Sequence, residues 1–112
     1  MRIINYTDFE DVDIRVGTIL KATENNQLRQ PSIILEIDFG EKIGIKKSSA
    51  QLKANYKCED LINIQVAAVI NFHPKQIGKF ISEVLVLGFP DINNEPILIS
   101  PTIKVDNGGK LY

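Results

Sequence analysis

The residues best suited to chemistry fall in one short run, Asn71-Phe72-His73-Pro74-Lys75-Gln76-Ile77-Gly78-Lys79-Phe80-Ile81-Ser82-Glu83. Lys75 and Lys79 flank a glycine and meet no acid before Glu83, so both ammonium groups are free to meet an anion. Pro74 has no N–H for a ladder and Gly78 tolerates a tight bend, which is expected to lift both lysines clear of a sheet. The chemistry is non-covalent capture of a phosphate or a peptide backbone, with Asn71 and Ser82 as hydrogen-bonding groups and Phe80 as a stacking ring. A second basic run, Lys42 through Lys46-Lys47-Ser48-Ser49, offers similar groups, and Arg15 supplies a guanidinium earlier in the chain.

Covalent and metal chemistry lack their parts. His73 is the only histidine and Cys58 the only cysteine, too few soft ligands for a zinc or iron site. Neither Lys57-Cys58-Glu59 nor Phe72-His73-Pro74 resembles a catalytic setting, and no Walker loop, G-x-G-x-x-G or paired-carboxylate motif is present. A non-catalytic protein with no metal and no cofactor is expected.

A chain of 112 residues, 44% hydrophobic and 24% charged, is expected to form a single domain over 1–112 with a core that needs no staples. Its net charge of -1, from 13 basic and 14 acidic residues, gives no overall attraction to polyanions. A nucleic-acid site therefore requires cations gathered on one surface. No apolar run follows Arg2 as a signal peptide would need, and the longest uncharged run, 61–74, is too short for a bilayer. With one cysteine suiting a reducing compartment, the expected location is cytoplasmic, without membrane insertion.

Thr7-Asp8-Phe9-Glu10 has capping-box spacing and predicts a short N-terminal helix. A first strand follows, with Ile14, Val16 and Leu20 inward and Arg15, Gly17 and Ile19 opposite. The segment from Asn25 to Pro31 reads as the first long loop. Ile33, Leu35, Ile37 and Phe39 alternate with Ile34, Glu36 and Asp38, which predicts a half-buried second strand. Gly40-Glu41 turns the chain into a third, with Ile43 and Ile45 inward and Lys42, Gly44 and Lys46 outward. Ser48 and Gln51 again have capping-box spacing, predicting a helix over 49–56 whose start, flanked by Lys46 and Lys47, would attract anions. Cys58 to Ile62 reads as a further short turn or helix. The segments 64–72 and 82–89 are apolar on both sides, predicting covered strands with Phe72 and Phe89 in the core. Pro96 to Ser100 predicts an edge strand and Asp106-Asn107-Gly108-Gly109 a turn. This order is that of an all-β, five-stranded Greek-key barrel, the OB-fold, with a short N-terminal helix, a helix between strands three and four and extra C-terminal β segments.

Three stretches carry a family resemblance: Asp13 to Ile19; Asp38-Phe39-Gly40 with Ile43 to Gln51; and Asn71 to Gly78 with Ser82 to Gly88. In this order they resemble the tRNA-binding OB domain, and more closely its stand-alone CsaA-type branch of secretion chaperones. The resemblance implies a homodimeric OB-fold protein without catalysis, with tRNA or unfolded preprotein segments as ligand. Ile77-Gly78-Lys79 stands where the wider domain usually has Met-Arg-Gly, and Glu83 where it has a small residue or Gln; both departures match the CsaA branch. On this fold, Arg15, Lys42, Lys46, Lys47, Lys75 and Lys79 are expected on one outer barrel face, Arg15 beside the third-strand lysines, with Ser48, Ser49, Asn71, Phe80 and Ser82 among them. Outward Ile19, Ile34 and Ile77 favour the peptide ligand. The apolar excess calls for a cover, and a twofold dimer joined through the N-terminal segment and the tail from Pro96 to Tyr112 supplies one.

Overall fold

A computed structural model describes residues 1–26 and 31–112; the expected loop before Pro31 therefore lies mostly outside the described residues. The strictest alternation in the sequence, Ser32–Asp38, forms the strand around which the others assemble (β2). Ile33, Leu35, Ile37 and Phe39 project from it into the core and are at most 1% exposed. It pairs antiparallel with Ile14–Asn25 (β1) on one side and Ile45–Ala50 (β3) on the other. β1 also pairs with Gln65–Val69 (β4), and β4 with Leu85–Val86 (β7), giving the five-stranded order β3-β2-β1-β4-β7. Between β4 and β7, Lys75–Ile77 (β5) and Phe80–Ser82 (β6) form a separate ribbon. Beyond β7, Gly88–Pro90 (β8) pairs with Pro96–Leu98 (β9). β3 lies against β6 and β7, so the sheet curls toward closure as an OB-fold does.

Two short helices complete the chain, Tyr6–Glu10 (α1) and Cys58–Leu61 (α2). The α1 start lies two residues before the expected box: Asn5 is the N-cap, and its N–H donates to the Asp8 carboxylate at 2.9 Å. α2 sits between β3 and β4 and delivers Leu61 to the core.

The first strand has the opposite facing to that expected. Gly17 and Ile19 face the core, while Leu20 is 44% exposed. A Cβ at Gly17 would lie 2.6 Å from Ile37 Cγ2 and 2.8 Å from Phe39 Cδ1, so the glycine makes room for the large side chains of β2. A register shift between Ile19 and Lys21 then lets Ala22 pack against the core. Both faces of β1 are apolar, so period two alone could not choose between them.

The expected helix over 49–56 is absent, and Ser48 is not an N-cap. β3 continues to Ala50 because Ala50 pairs with Ile33 and Ser49 with Ile34. The chain then makes one turn, with the Tyr56 N–H donating to the Leu52 carbonyl at 3.0 Å, and Leu52 plugs the core. A long ladder outweighs a local capping pattern worth about 1 kcal/mol.

Other placements also change. Lys42 belongs to the turn between Gly40 and Gly44, not to a strand, and Ile45 is exposed. Phe72 and Phe89, expected in the core, are 55% and 68% exposed, since β4 ends at Val69 and the second apolar segment breaks into β7 and β8. The basic loop is itself paired: Ile77 opposes Phe80 across the Gly78-Lys79 turn, where Gly78 has φ 61°.

The tail from Ile99 onward is tied to the barrel by buried polar groups. Gln65, 8% exposed, donates to the Val105 carbonyl at 2.6 Å and accepts the Val105 N–H at 3.1 Å. Thr18 donates to Asn107 Oδ1 at 2.7 Å.

Candidate nucleic-acid interface

The barrel closes at β3 through both side-chain and backbone bonds. Lys47 N–H donates to Glu83 Oε1 at 3.0 Å, and Ser49 N–H donates to Ser82 Oγ at 3.1 Å. The reverse bond, from Glu83 N–H to the Lys47 carbonyl at 2.8 Å, is made by backbone. The ribbon stands off this seam and leaves a groove of about 500 Å³, lined by Ser49, Phe72, His73, Lys75, Ser82 and Glu83, with Ile77 and Leu85 as apolar wall. Lys46 adjoins it, its Nζ lying 3.9 Å from Glu83 Oε2. Lys75 has no ion pair among the described residues.

Of the expected site residues, Ser49, Lys75 and Ser82 line the groove, Lys46 and Lys47 border it, and Lys79 stands exposed at the ribbon turn. Phe80 is half-buried on β6. Four others lie apart or are committed elsewhere. Lys42 sits at the end of β3 away from Ser49. Ser48 is 1% exposed and faces the core. Asn71 accepts the Asp13 N–H at 3.0 Å and donates to the Asp11 carbonyl at 2.7 Å, stitching the end of β4 to the approach to β1. Arg15 is not beside the β3 lysines, because β2 lies between the strands. Its Nε lies 2.6 Å from Asp13 Oδ1, and its Nη1 donates to the Gly108 carbonyl at 3.0 Å. Ile19, expected outward as a peptide contact, is wholly buried.

The groove also holds five residues that the sequence did not assign to it: Phe72, His73, Glu83, Val84 and Leu85. The proline at 74 was a usable sign, since strand pairing that stops before it frees the preceding ring and imidazole. Cys58 lies on α2, which packs against β1, whereas His73 lines the groove. Burial and then the Glu24 and Glu59 carboxylates push the Cys58 thiol above its ordinary value, holding it protonated and weakly nucleophilic. Among the described residues no group of three His, Cys, Asp or Glu side chains could hold a metal ion, and no helix is long and apolar enough to cross a membrane.

A second hollow, about 600 Å³, lies on the outer face of β1 and β4, between them and the tail. Ile14, Val16, Ala67, Ile99, Pro101 and Leu111 line it. Outside it, Met1, Ile3, Ile4 and Tyr6 of the N-terminal arm are exposed.

A curled OB barrel with a basic, serine-bearing groove between β3 and the β5–β6 ribbon defines a ligand-binding domain of the OB class. The family described as "Putative tRNA binding domain" matches residues 14–110, and the chain belongs to it. A methionine–tRNA ligase of Methanothrix thermoacetophila is 34% identical over 106 residues, covering 95% of this chain and 15% of the ligase. This chain thus spans about a seventh of the length of such relatives. Among solved structures, the chaperone CsaA of Bacillus anthracis is 45% identical with a TM-score of 0.91, covering 99% of this chain and 100% of that one. The CsaA chaperone of Picrophilus torridus is 44% identical, also at 0.91, covering 98% and 100%.

Proposed function

We propose that this chain is a non-catalytic, cytoplasmic tRNA-binding protein that works as a homodimer. The observation that carries this reading is the meeting of β3 and the ribbon, which gathers Lys46, Lys47, Lys75, Ser49 and Ser82 around one groove in a member of the tRNA-binding family. A net charge of -1 leaves long-range attraction weak, so this local cluster supplies the phosphate contacts. Backbone and shape recognition suits a groove with Phe72 as its one phenyl ring. The second, apolar hollow and the exposed N-terminal arm support a twofold partner seated there, which would place two grooves on one particle.

The test is tRNA binding by gel shift at several salt concentrations, wild type against Lys75→Ala plus Lys79→Ala. The expected loss is roughly tenfold at low salt, with the salt slope reduced by about two. No binding at low salt, or an unchanged slope in the double variant, counts against the reading.

One observation favours a second reading, an export-related chaperone that holds unfolded preprotein segments in the same groove. Phe72 and Leu85 are at least half exposed on its wall, an apolar lining that phosphate recognition does not need. The full-length likeness to CsaA chaperones supports it as well. An unfolded preprotein that competes with tRNA would join the two readings, and independent binding would separate them.

A further inference from the structure

The β3 seam contains an anion already in place. Glu83 Oε1 takes the Lys47 N–H at 3.0 Å, and Oε2 faces Lys46 Nζ at 3.9 Å. One backbone donor and one ammonium are the groups that a phosphate oxygen would use, and a carboxylate and a phosphate accept from the same donors. The glutamate's position does not depend on this contact, because its own N–H is bonded to the Lys47 carbonyl at 2.8 Å. Both side chains remain solvent-accessible, 35% for Glu83 and 37% for Lys46, so the carboxylate has room to swing away while the backbone stays in place.

We propose that Glu83 determines the specificity of the groove: its carboxylate occupies the anion subsite of the free protein, and a ligand phosphate must displace it. An incoming phosphate is opposed twice, by the occupied Lys46 and by the negative charge beside Lys75 and Ser82. A ligand without charge at this point, such as a peptide backbone, leaves the Glu83–Lys46 pair intact and meets no such penalty. The inference rests on the groove being a phosphate-binding surface.

The experiment uses Glu83→Gln, which keeps the side-chain length and an acceptor for the Lys47 N–H while removing the charge. Inorganic pyrophosphate is titrated against wild type and variant, with the Lys47 and Ser49 backbone amides followed by NMR. Asp60→Asn, on the exposed face of α2, makes the same change in net charge away from the groove and serves as the control. Pyrophosphate is expected to bind at Lys47 about fivefold tighter in Glu83→Gln, the size of one exposed ion pair, and no tighter in Asp60→Asn. Equal affinity in wild type and Glu83→Gln, an equal gain in Asp60→Asn, or no binding at Lys47 in either form overturns the proposal. A parallel tRNA titration separates the two ideas. If pyrophosphate prefers Glu83→Gln while tRNA binds neither form, the assignment of Glu83 stands and the tRNA reading falls.

Discussion

Two hollows of similar size flank this barrel, about 500 Å³ beside β3 and about 600 Å³ beside β1, and their linings have little in common. In the first, two serine hydroxyls, a lysine, an imidazole and a carboxylate stand beside the apolar side chains of Phe72, Ile77, Val84 and Leu85. Its polar atoms are content in water and gain from a charged or hydrogen-bonding ligand. The second is walled by Ile14, Val16, Ala67, Ile99, Pro101 and Leu111, and its arginine is already neutralised by Asp13. Ser100, Asp106 and Lys110 also line it, and an apolar surface such as that of the proposed partner copy would suit its aliphatic wall. Size therefore says little about what a hollow is for, whereas the sign and satisfaction of its polar groups say a good deal.

The sharpest way to break this contrast is to charge the apolar hollow. Val16→Asp puts an unpaired carboxylate into the proposed dimer contact, at a cost of about 3–5 kcal/mol, which weakens association more than a hundredfold. Sedimentation should find a folded monomer whose groove still binds tRNA, with avidity lost. A dimer that survives this change removes the apolar hollow as the contact between the two copies. The neighbouring position probes the other side of the same strand. Gly17→Val drives side-chain atoms against Ile37 and Phe39, and urea denaturation should show a loss of about 1–3 kcal/mol or more. If Gly17→Val dissociates the dimer and Val16→Asp unfolds the chain, the assignment of faces is reversed.

The smallest expected effect lies outside both hollows, in the β8–β9 turn. Asp91 is held below the usual carboxylate range by the Asn55 amide and then by the Glu95 and Asn93 backbone N–H groups. Its folded value is depressed, so its contribution to stability is present above the ordinary carboxyl pKa and is lost as pH falls through the lower folded value. Acid titration below about pH 4 should move the Asn93 and Glu95 amide signals as Asp91 takes up its proton. Asp91→Asn should abolish that step. A change in the Lys47 and Ser49 amide signals on making Asp91→Asn at fixed pH would couple the turn to the groove and weaken the separation between the regions.

The legible parts of the sequence were those with one strong pattern. The alternation from Ile33 to Phe39 gave β2, its facing and its hairpin with β3, and the Asp106–Gly109 turn was plain from its residue types. The basic run from Lys75 to Lys79 was visible as a candidate contact, and two of the serines named with it, Ser49 and Ser82, do line the groove. Illegible parts were those where two patterns competed. Ser48 and Gln51 looked like a cap, yet the ladder to β2 carried β3 through them. Arg15 looked free, but its acid partner sits only two residues away and its carbonyl partner 93 residues away. Phe72 looked like core because its alternation with Ile70 outweighed the sign given by Pro74, whereas pairing stops at Val69.

Residue types and their local periods determined that the chain is all-β, that its core is built on the aliphatic face of 33–39, and that its candidate contact lysines come in two separate runs. Local period carries that much because a strand's two faces and a turn's backbone are set within a few residues. Only the closing of β3 against the ribbon decided which cations meet and that Glu83 stands among them, and only the packing of β1 on β2 decided that Val16 rather than Gly17 faces outward. Those outcomes depend on the volumes and hydrogen-bond partners of strands distant in sequence, which no single segment contains.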